Sequence, residues 1–263
     1  MHKIAVKNFN LDHTLSCGQV FRWHQHDGYW YGFINRKPVK LKQEKDLLIY
    51  DGKVTREEIT GYFNLDLDYI KVISTFPPNR ILILALKKYW GLRIVKQEPF
   101  ECLMTYILSS QNNIKRINNM VNELSRRIGK KMKFDGREVY AFPTLKDLKK
   151  CAKSDIASCR LGFRDRYLDD AVAKLVSKEI KLEKISKMPY KKALEELLKI
   201  KGIGNKVANC ILLFGYNKYE AFPVDVWIER VMRKYFPGKD ASYFGEFAGY
   251  AQEFLYSYIR GVK

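Results

Sequence analysis

The sequence predicts an α+β protein, with an N-terminal antiparallel, twisted β-sheet domain with helices over residues 1–78 and an all-α domain over residues 79–263. Three observations carry that expectation. Short aromatic and aliphatic runs before residue 78 alternate with hairpin-turn residues, the hydrophobic period after it is that of helices, and Thr75-Phe76-Pro77-Pro78 interrupts the chain between the two. The runs Val20-Phe21-Arg22-Trp23-His24, Tyr29-Trp30-Tyr31-Gly32-Phe33-Ile34 and Leu47-Leu48-Ile49-Tyr50 read as strands. Asp27-Gly28, Asn35-Arg36-Lys37-Pro38 and Asp51-Gly52-Lys53 read as the turns that bound them. A helix over Thr55–Phe63 closes this region, with Thr55 as N-cap and Glu57 and Glu58 in the first turn, where the helix dipole favours acids.

Helical periodicity then runs through Arg80–Trp90, a greasy helix opened by Pro99 and an amphipathic one marked by Ile114, Ile117, Val121 and Leu124. It continues in Tyr167–Val176, Tyr190–Ile200, Val207–Tyr216, Val226–Tyr235 and Phe244–Ile259. No internal repeat or low-complexity tract interrupts it.

Charge is the first sign of function. Lys plus Arg number 48 against 29 Asp plus Glu, a net +19 that repels itself in a compact fold and favours a polyanionic partner. A lysine-rich surface is the plainer alternative. The basic pairs are scattered (Lys87-Lys88, Arg126-Arg127, Lys149-Lys150), which describes a broad face and not a tail. No apolar run approaches the roughly 20 residues of a membrane span, and the N-terminus lacks a signal peptide. The expectation is an intracellular protein, cytoplasmic or nucleoid-associated, and nuclear in a eukaryote. The five cysteines lack the clustered spacing of a zinc or iron–sulfur site, and all four histidines fall within the first 26 residues. Any chemistry beyond that point proceeds without histidine.

The most informative stretch is Lys201-Gly202-Ile203-Gly204-Asn205-Lys206-Val207-Ala208. Two glycines flanking one aliphatic residue allow a tight hairpin between two apolar helices, a helix-hairpin-helix over residues 190–216 whose exposed N–H groups suit a DNA phosphate. A plain glycine turn between core helices is the alternative. Lys206 falls in the first turn of the second helix among apolar neighbours, where desolvation and the helix dipole favour a free amine. Nineteen residues later, Pro223-Val224-Asp225-Val226 places a carboxylate at the start of the next helix, either as a cap alone or also facing a cationic transition state.

Gly202-Ile203-Gly204-Asn205-Lys206-Val207-Ala208 with Pro223-Val224-Asp225 resembles the helix-hairpin-helix DNA glycosylase superfamily, in its bifunctional, lysine-bearing branch. Within that branch the sequence is similar to the 8-oxoguanine DNA glycosylases. The likeness extends in order through Ser16–Trp23, Tyr62–Asp66, Ser109–Ile117, Leu161–Tyr167 and Ala251-Gln252. It implies an enzyme that flips the lesion out of duplex DNA, with Lys206 as nucleophile and Asp225 as essential carboxylate. It also implies that Gly18 offers a backbone carbonyl to the N7 proton of 8-oxoguanine and that Gln252 binds the Watson–Crick edge. Tyr256 and Cys210 sandwich the base, with Phe214 and Pro223 lining the pocket, although Tyr256 and Cys210 suit a core equally well. Gln111, Asn112, Asn113, Arg116 and Arg164 face the orphaned cytosine, Phe163 wedges the duplex, and Gly202 and Gly204 bind phosphate.

The resemblance further implies a structural monovalent cation at the carbonyls of Leu198, Ile200 and Ile203, no required cofactor, and no obligatory protein partner for a monomer. The family more often has Asn at the position of Gln111 and Tyr at that of Phe163, so strict selection of cytosine opposite the lesion is open. Two rival readings stand beside this one: a monofunctional glycosylase for alkylated purines, which does not need Lys206, and a non-catalytic module that binds DNA through the hairpin.

Overall fold

A computed structural model describes residues 1–261; Val262 and Lys263, at the end of the expected helical span, lie outside the described residues. The N-terminal part is a five-stranded antiparallel sheet in the order β1-β5-β4-β3-β2, formed by β1 (His2–Ala5), β2 (His24–His26), β3 (Tyr29–Ile34), β4 (Lys37–Glu44) and β5 (Leu47–Gly52). Three two-residue loops set its register, pairing His26 with Tyr29, Ile34 with Lys37 and Glu44 with Leu47. Asp27, Gly28, Asn35, Arg36 and Lys45 in those loops have positive φ, whose twist matches that of the strands they join. The expected turn at 35–38 is therefore shorter than the sequence suggested, and Lys37 and Pro38 already belong to β4.

Helix α1 (Leu11–Ser16), capped by Asn10, had no clear periodic signal. The stretch Val20–Trp23 is not a strand; only His24 of that run pairs in the sheet. Val20, Phe21, Arg22 and Trp23 are all buried in succession, so the segment passes between sheet and helices and does not expose alternate residues. Helix α2 (Arg56–Tyr62) has the full capping box between Thr55 and Glu58.

Helices α3 (Tyr69–Ser74), α4 (Arg80–Lys88), α5 (Pro99–Leu108) and α6 (Ile114–Ile128) follow. A hairpin of β6 (Lys131–Phe134) and β7 (Arg137–Tyr140) then interrupts the helical part. Helical periodicity could not foresee it. Its turn residue Asp135 accepts hydrogen bonds from Tyr31 at 2.6 Å and Lys40 at 2.7 Å, clasping the sheet. Helices α7 (Leu145–Lys150) and α8 (Lys153–Ser158), the 3-10 turn Gly162–Arg164 and helices α9 (Asp165–Val176) and α10 (Leu182–Ile185) lead to α11 (Tyr190–Leu198) and α12 (Asn205–Tyr216). The chain ends in α13 (Val226–Tyr235) and α14 (Ala248–Arg260). The expected single helix over Phe244–Ile259 is broken, because Gly245 at φ 71° separates a 3-10 segment (Ala241–Phe247) from α14.

Two cores result. Ile34, Val39, Leu41, Leu48 and Ile59 fill the one under the sheet, which Val95 also enters. The larger one centres on α5, α12 and α14 and recruits Cys17, Phe21, Tyr69 and Val72 from the N-terminal part. Helices α5 and α12 are buried almost all round, so they form the spine on which the site is built.

Candidate active site

A cavity of about 960 Å³ opens where α12, α14, the start of α13 and the loop after α1 converge. That size suits a small-molecule ligand or a flipped nucleotide. Lys206, Asp225, Gly18, Gln252, Tyr256, Cys210, Phe214, Pro223, Gln111, Asn112 and Asn113 all line it. Residues separated by more than 230 positions in the chain thus share one wall.

Lys206 is half-buried in the first turn of α12, with its Nζ 5.8 Å from the centre of the Tyr106 ring. Tyr106 in turn stacks on Phe214, with centroids 5.6 Å apart and planes 12° apart. Cys210, one turn beyond Lys206, is buried; burial pushes its thiol up to about 11, against the pull of the Lys206 ammonium. It is thus a neutral thiol on the cavity wall.

Asp225 caps α13 through one oxygen. Its Oδ1 accepts from Trp227 N at 3.0 Å and Ile228 N at 2.9 Å, while no hydrogen bond occupies Oδ2 among the described residues. Capping and chemistry are therefore compatible in one carboxylate. Asn209 aligns Asp225's loop with the lysine helix: its Nδ2 donates to Asn205 O at 2.8 Å, and its Oδ1 accepts from Phe222 N at 3.1 Å and Tyr190 Oη at 2.7 Å. Sequence reading missed Asn209; its only signal is a buried amide in an otherwise apolar helix.

Gly18 has φ +103°, and a Cβ there would lie 3.0 Å from Ile114 Cδ1 and 3.1 Å from Arg260 Nη1. Only glycine suits both the backbone and the space. Gln19 secures this loop: its Nε2 donates to Thr14 O and Arg93 O, both at 2.8 Å, and its Oε1 accepts from Val95 N at 2.9 Å. Its own carbonyl accepts from Gln97 Nε2 at 2.8 Å and Tyr106 Oη at 3.1 Å. Gln252 on α14 is 4% exposed and its Oε1 has no partner, an acceptor awaiting a donor. Tyr256, one turn on, accepts from Arg260 Nη1 at 3.1 Å. Two further residues of this wall, Glu253 and Arg260, carried no sequence signal.

Phe163, Arg164 and Arg116 stand outside the cavity lining. Phe163 is 37% exposed beside Tyr167, and Arg116 is exposed on α6. Arg164 is 2% exposed and bonded to backbone carbonyls. Its Nε donates to Ser110 O at 2.8 Å, its Nη2 to Ser110 O at 2.5 Å and Gln111 O at 2.8 Å, and its Nη1 to Leu161 O at 3.2 Å. Arg164 holds the 110–111 loop, where Gln111 has φ 47°, with four of its five N–H donors engaged by backbone carbonyls. Asn113 caps α6 by accepting from Arg116 N at 2.9 Å, and Asn112 Nδ2 donates back to Leu108 O at 3.0 Å.

At the hairpin, Gly202 has φ +84°, and a Cβ there would sit 2.2 Å from the Tyr167 ring. Gly204, at the N-cap of α12, faces open space, with nothing within 4 Å of a Cβ. The free N–H groups of the first helical turn lie behind it, open to an anion. The carbonyls of Leu198 and Ile203 receive no backbone N–H among the described residues, and that of Ile200 accepts from Ile203 N at 3.1 Å. Carbonyl oxygen is the donor type that a hard cation takes.

Residues 1–103 match the 8-oxoguanine DNA glycosylase N-terminal domain, and residues 104–244 match the HhH-GPD superfamily of base excision DNA repair proteins. A probable N-glycosylase/DNA lyase of Methanothermobacter thermautotrophicus is 30% identical, over 98% of this chain and 96% of the relative. The structure of the Clostridium acetobutylicum 8-oxoguanine glycosylase/lyase, with double-stranded DNA holding cytosine opposite 8-oxoguanine, superposes with a TM-score of 0.89 at 32% identity, over 99% of this chain and 98% of that one. The 3-methyladenine DNA glycosylase of Archaeoglobus fulgidus shares the fold, with a TM-score of 0.80 at 20% identity over 99% of this chain and 98% of that one. With lysine and carboxylate on one cavity beside the hairpin, this chain belongs to the HhH-GPD superfamily of base excision DNA repair proteins, in the 8-oxoguanine DNA glycosylase/lyase group.

Proposed function

We propose that the chain excises 8-oxoguanine from duplex DNA and then cleaves the strand, with Lys206 as nucleophile. The observation that carries this reading is the convergence of Lys206, Asp225, Gln252 and Gly18 on one cavity next to the Gly202–Gly204 hairpin. The flipped base enters that cavity, its Watson–Crick edge meeting Gln252 and its N7 proton meeting the carbonyl of Gly18. Guanine lacks that proton, and a buried acceptor left unpaired costs about 1–3 kcal/mol. Tyr256 and Cys210 cover the two faces of the ring.

The Lys206 amine attacks C1′ as the base departs, and Asp225 offsets the positive charge that grows on the sugar. The resulting Schiff base permits β-elimination of the 3′ phosphate. Every step uses side chains of the chain itself, so no cofactor enters the scheme. A monovalent cation at Leu198, Ile200 and Ile203 stiffens the hairpin. The broad positive charge supports binding along the phosphate backbone. Arg116, Phe163 and the 111–113 loop meet the orphaned strand, with Arg164 holding the loop in place. We further propose that the enzyme acts as a monomer inside the cell.

Borohydride trapping on duplexes containing 8-oxoguanine tests the scheme. The wild type is expected to form a covalent adduct, and Lys206→Gln to keep lesion binding while losing trapping, excision and nicking. Full excision by Lys206→Gln would leave the alkylated-purine type of monofunctional chemistry as the better reading. Binding with steep salt dependence but no excision by the wild type would leave only the DNA-binding module.

A further inference from the structure

Helix α14 buries two polar side chains in succession, Gln252 and Glu253, within the otherwise apolar run Ala248–Leu255. Base recognition accounts for the first. Nothing so far accounts for the second. Glu253 is 2% exposed, lines the same cavity, and its Oε1 has no hydrogen-bond partner. An uncompensated charge so placed is costly, and the group answers by holding a proton more tightly.

The groups around it come from every neighbouring element. Tyr106 from α5, Lys206 and Cys210 from α12, Asp225 from the start of α13, and Tyr256 and Arg260 from its own helix line the same cavity, and Cys17 reaches Glu253 from the loop after α1. Burial dominates and pushes the carboxyl up to about 7; Asp225 adds to the rise, while Cys17, Arg260 and Lys206 oppose it. A carboxyl poised there exchanges its proton readily near neutral pH. The Cys17 thiol is the one side chain that hydrogen-bonds to it, and it makes no salt bridge among the described residues.

We propose that Glu253 is a general acid–base residue of base excision, relaying a proton from the Lys206 amine to the departing purine. The inference rests on the glycosylase reading above. The Glu253 carboxylate first takes a proton from the Lys206 ammonium, leaving a neutral amine and a carboxylic acid. The amine lone pair then forms the N–C1′ bond as the C1′–N9 bond breaks, its electron pair leaving with the purine. The purine anion takes the proton from the Glu253 acid. The regenerated carboxylate then removes the remaining extra proton from the lysine nitrogen, now bonded to C1′. One lysine proton thus ends on the purine and another on Glu253, with no oxidant or reductant needed.

Single-turnover excision of 8-oxoguanine, measured on both sides of pH 7, tests this with the wild type, Glu253→Gln and Glu253→Asp. Glu253→Gln is expected to slow excision about 10²-fold and to flatten the pH profile, with part of the pH dependence returning in Glu253→Asp. Trapping on DNA that already carries an abasic site, where no purine departs, is expected to fall far less than excision. An unchanged pH profile in Glu253→Gln overturns the relay and points to a packing role, and equal losses on both substrates overturn the delivery of the proton to the purine. Should the Gln variant not fold, infrared titration of the wild type decides: a protonated carboxyl band lost as pH rises through about 7 supports the relay, and its absence overturns it. A wild type that neither excises nor traps refutes the glycosylase reading itself, a separate outcome.

Discussion

Replacing Asp225 by asparagine and by alanine separates the two jobs of its carboxylate. Its Oδ1 caps α13 through Trp227 N and Ile228 N, at 3.0 and 2.9 Å. Asparagine retains an oxygen in that position and loses only the interaction of a full charge with the helix dipole, about 0.3–1 kcal/mol. Alanine loses the cap as well, at about 0.5–2 kcal/mol, which lowers the melting temperature by a few degrees in a chain of this size. The chemical term is larger. A unit charge about 4 Å from a cationic sugar, at an effective dielectric constant near 20, contributes ~4 kcal/mol, or about 10³ in rate. Both variants should therefore lose about 10³-fold in single-turnover excision, while alanine alone melts clearly earlier and both still bind lesion DNA. Excision by Asp225→Asn within about tenfold of wild type would refute the electrostatic role. A melting loss in Asp225→Asn as large as in Asp225→Ala, with activity falling in proportion, would reduce Asp225 to a cap.

The hairpin glycines should part company. Gly202→Ala forces a Cβ to 2.2 Å from Tyr167 at φ +84° and is expected to destabilise the fold by about 1–3 kcal/mol in a urea melt. Gly204→Ala meets nothing within 4 Å and should leave stability nearly unchanged while weakening binding to undamaged duplex; equal melts for the two would contradict this geometry. Arg164→Ala removes the donors that hold Ser110 and Gln111, so about 2 kcal/mol of stability should be lost and discrimination among the four opposite bases should narrow. Excision assays opposite each base measure this, and unchanged discrimination would deny the loop its role.

Several parts of this protein were legible from residues alone because their signals act within one turn or one strand pair. Thr55 and Asp225 announce helix starts by their own oxygens, and both cap as such residues do. Asp27-Gly28 and the aromatic runs after it mark a hairpin whose φ values the residues themselves favour. The Gly-Ile-Gly turn, and the one-turn spacing of Lys206 and Cys210, place the lysine and its neighbour on one face before any packing is known.

Tertiary structure decided what depends on burial between distant segments. Val20–Trp23 has strand composition, yet the space between the two cores buries every residue of it and removes the alternation a strand would show. Gly18 reaches the cavity because Gln19 ties its loop to Thr14, Arg93 and Val95, partners up to 76 positions away. Arg164 holds the 110–111 loop, since carbonyls brought together by folding take four of its donors, a role that no local sequence signal carries. Glu253 reads in the sequence as an ordinary helical glutamate, and only its enclosure beside Cys17, Lys206 and Asp225 gives it a proton to exchange. Caps and turns are settled by a few adjacent residues; desolvation and long-range hydrogen bonding are settled by which surfaces meet, and this enzyme's chemistry depends on the second kind.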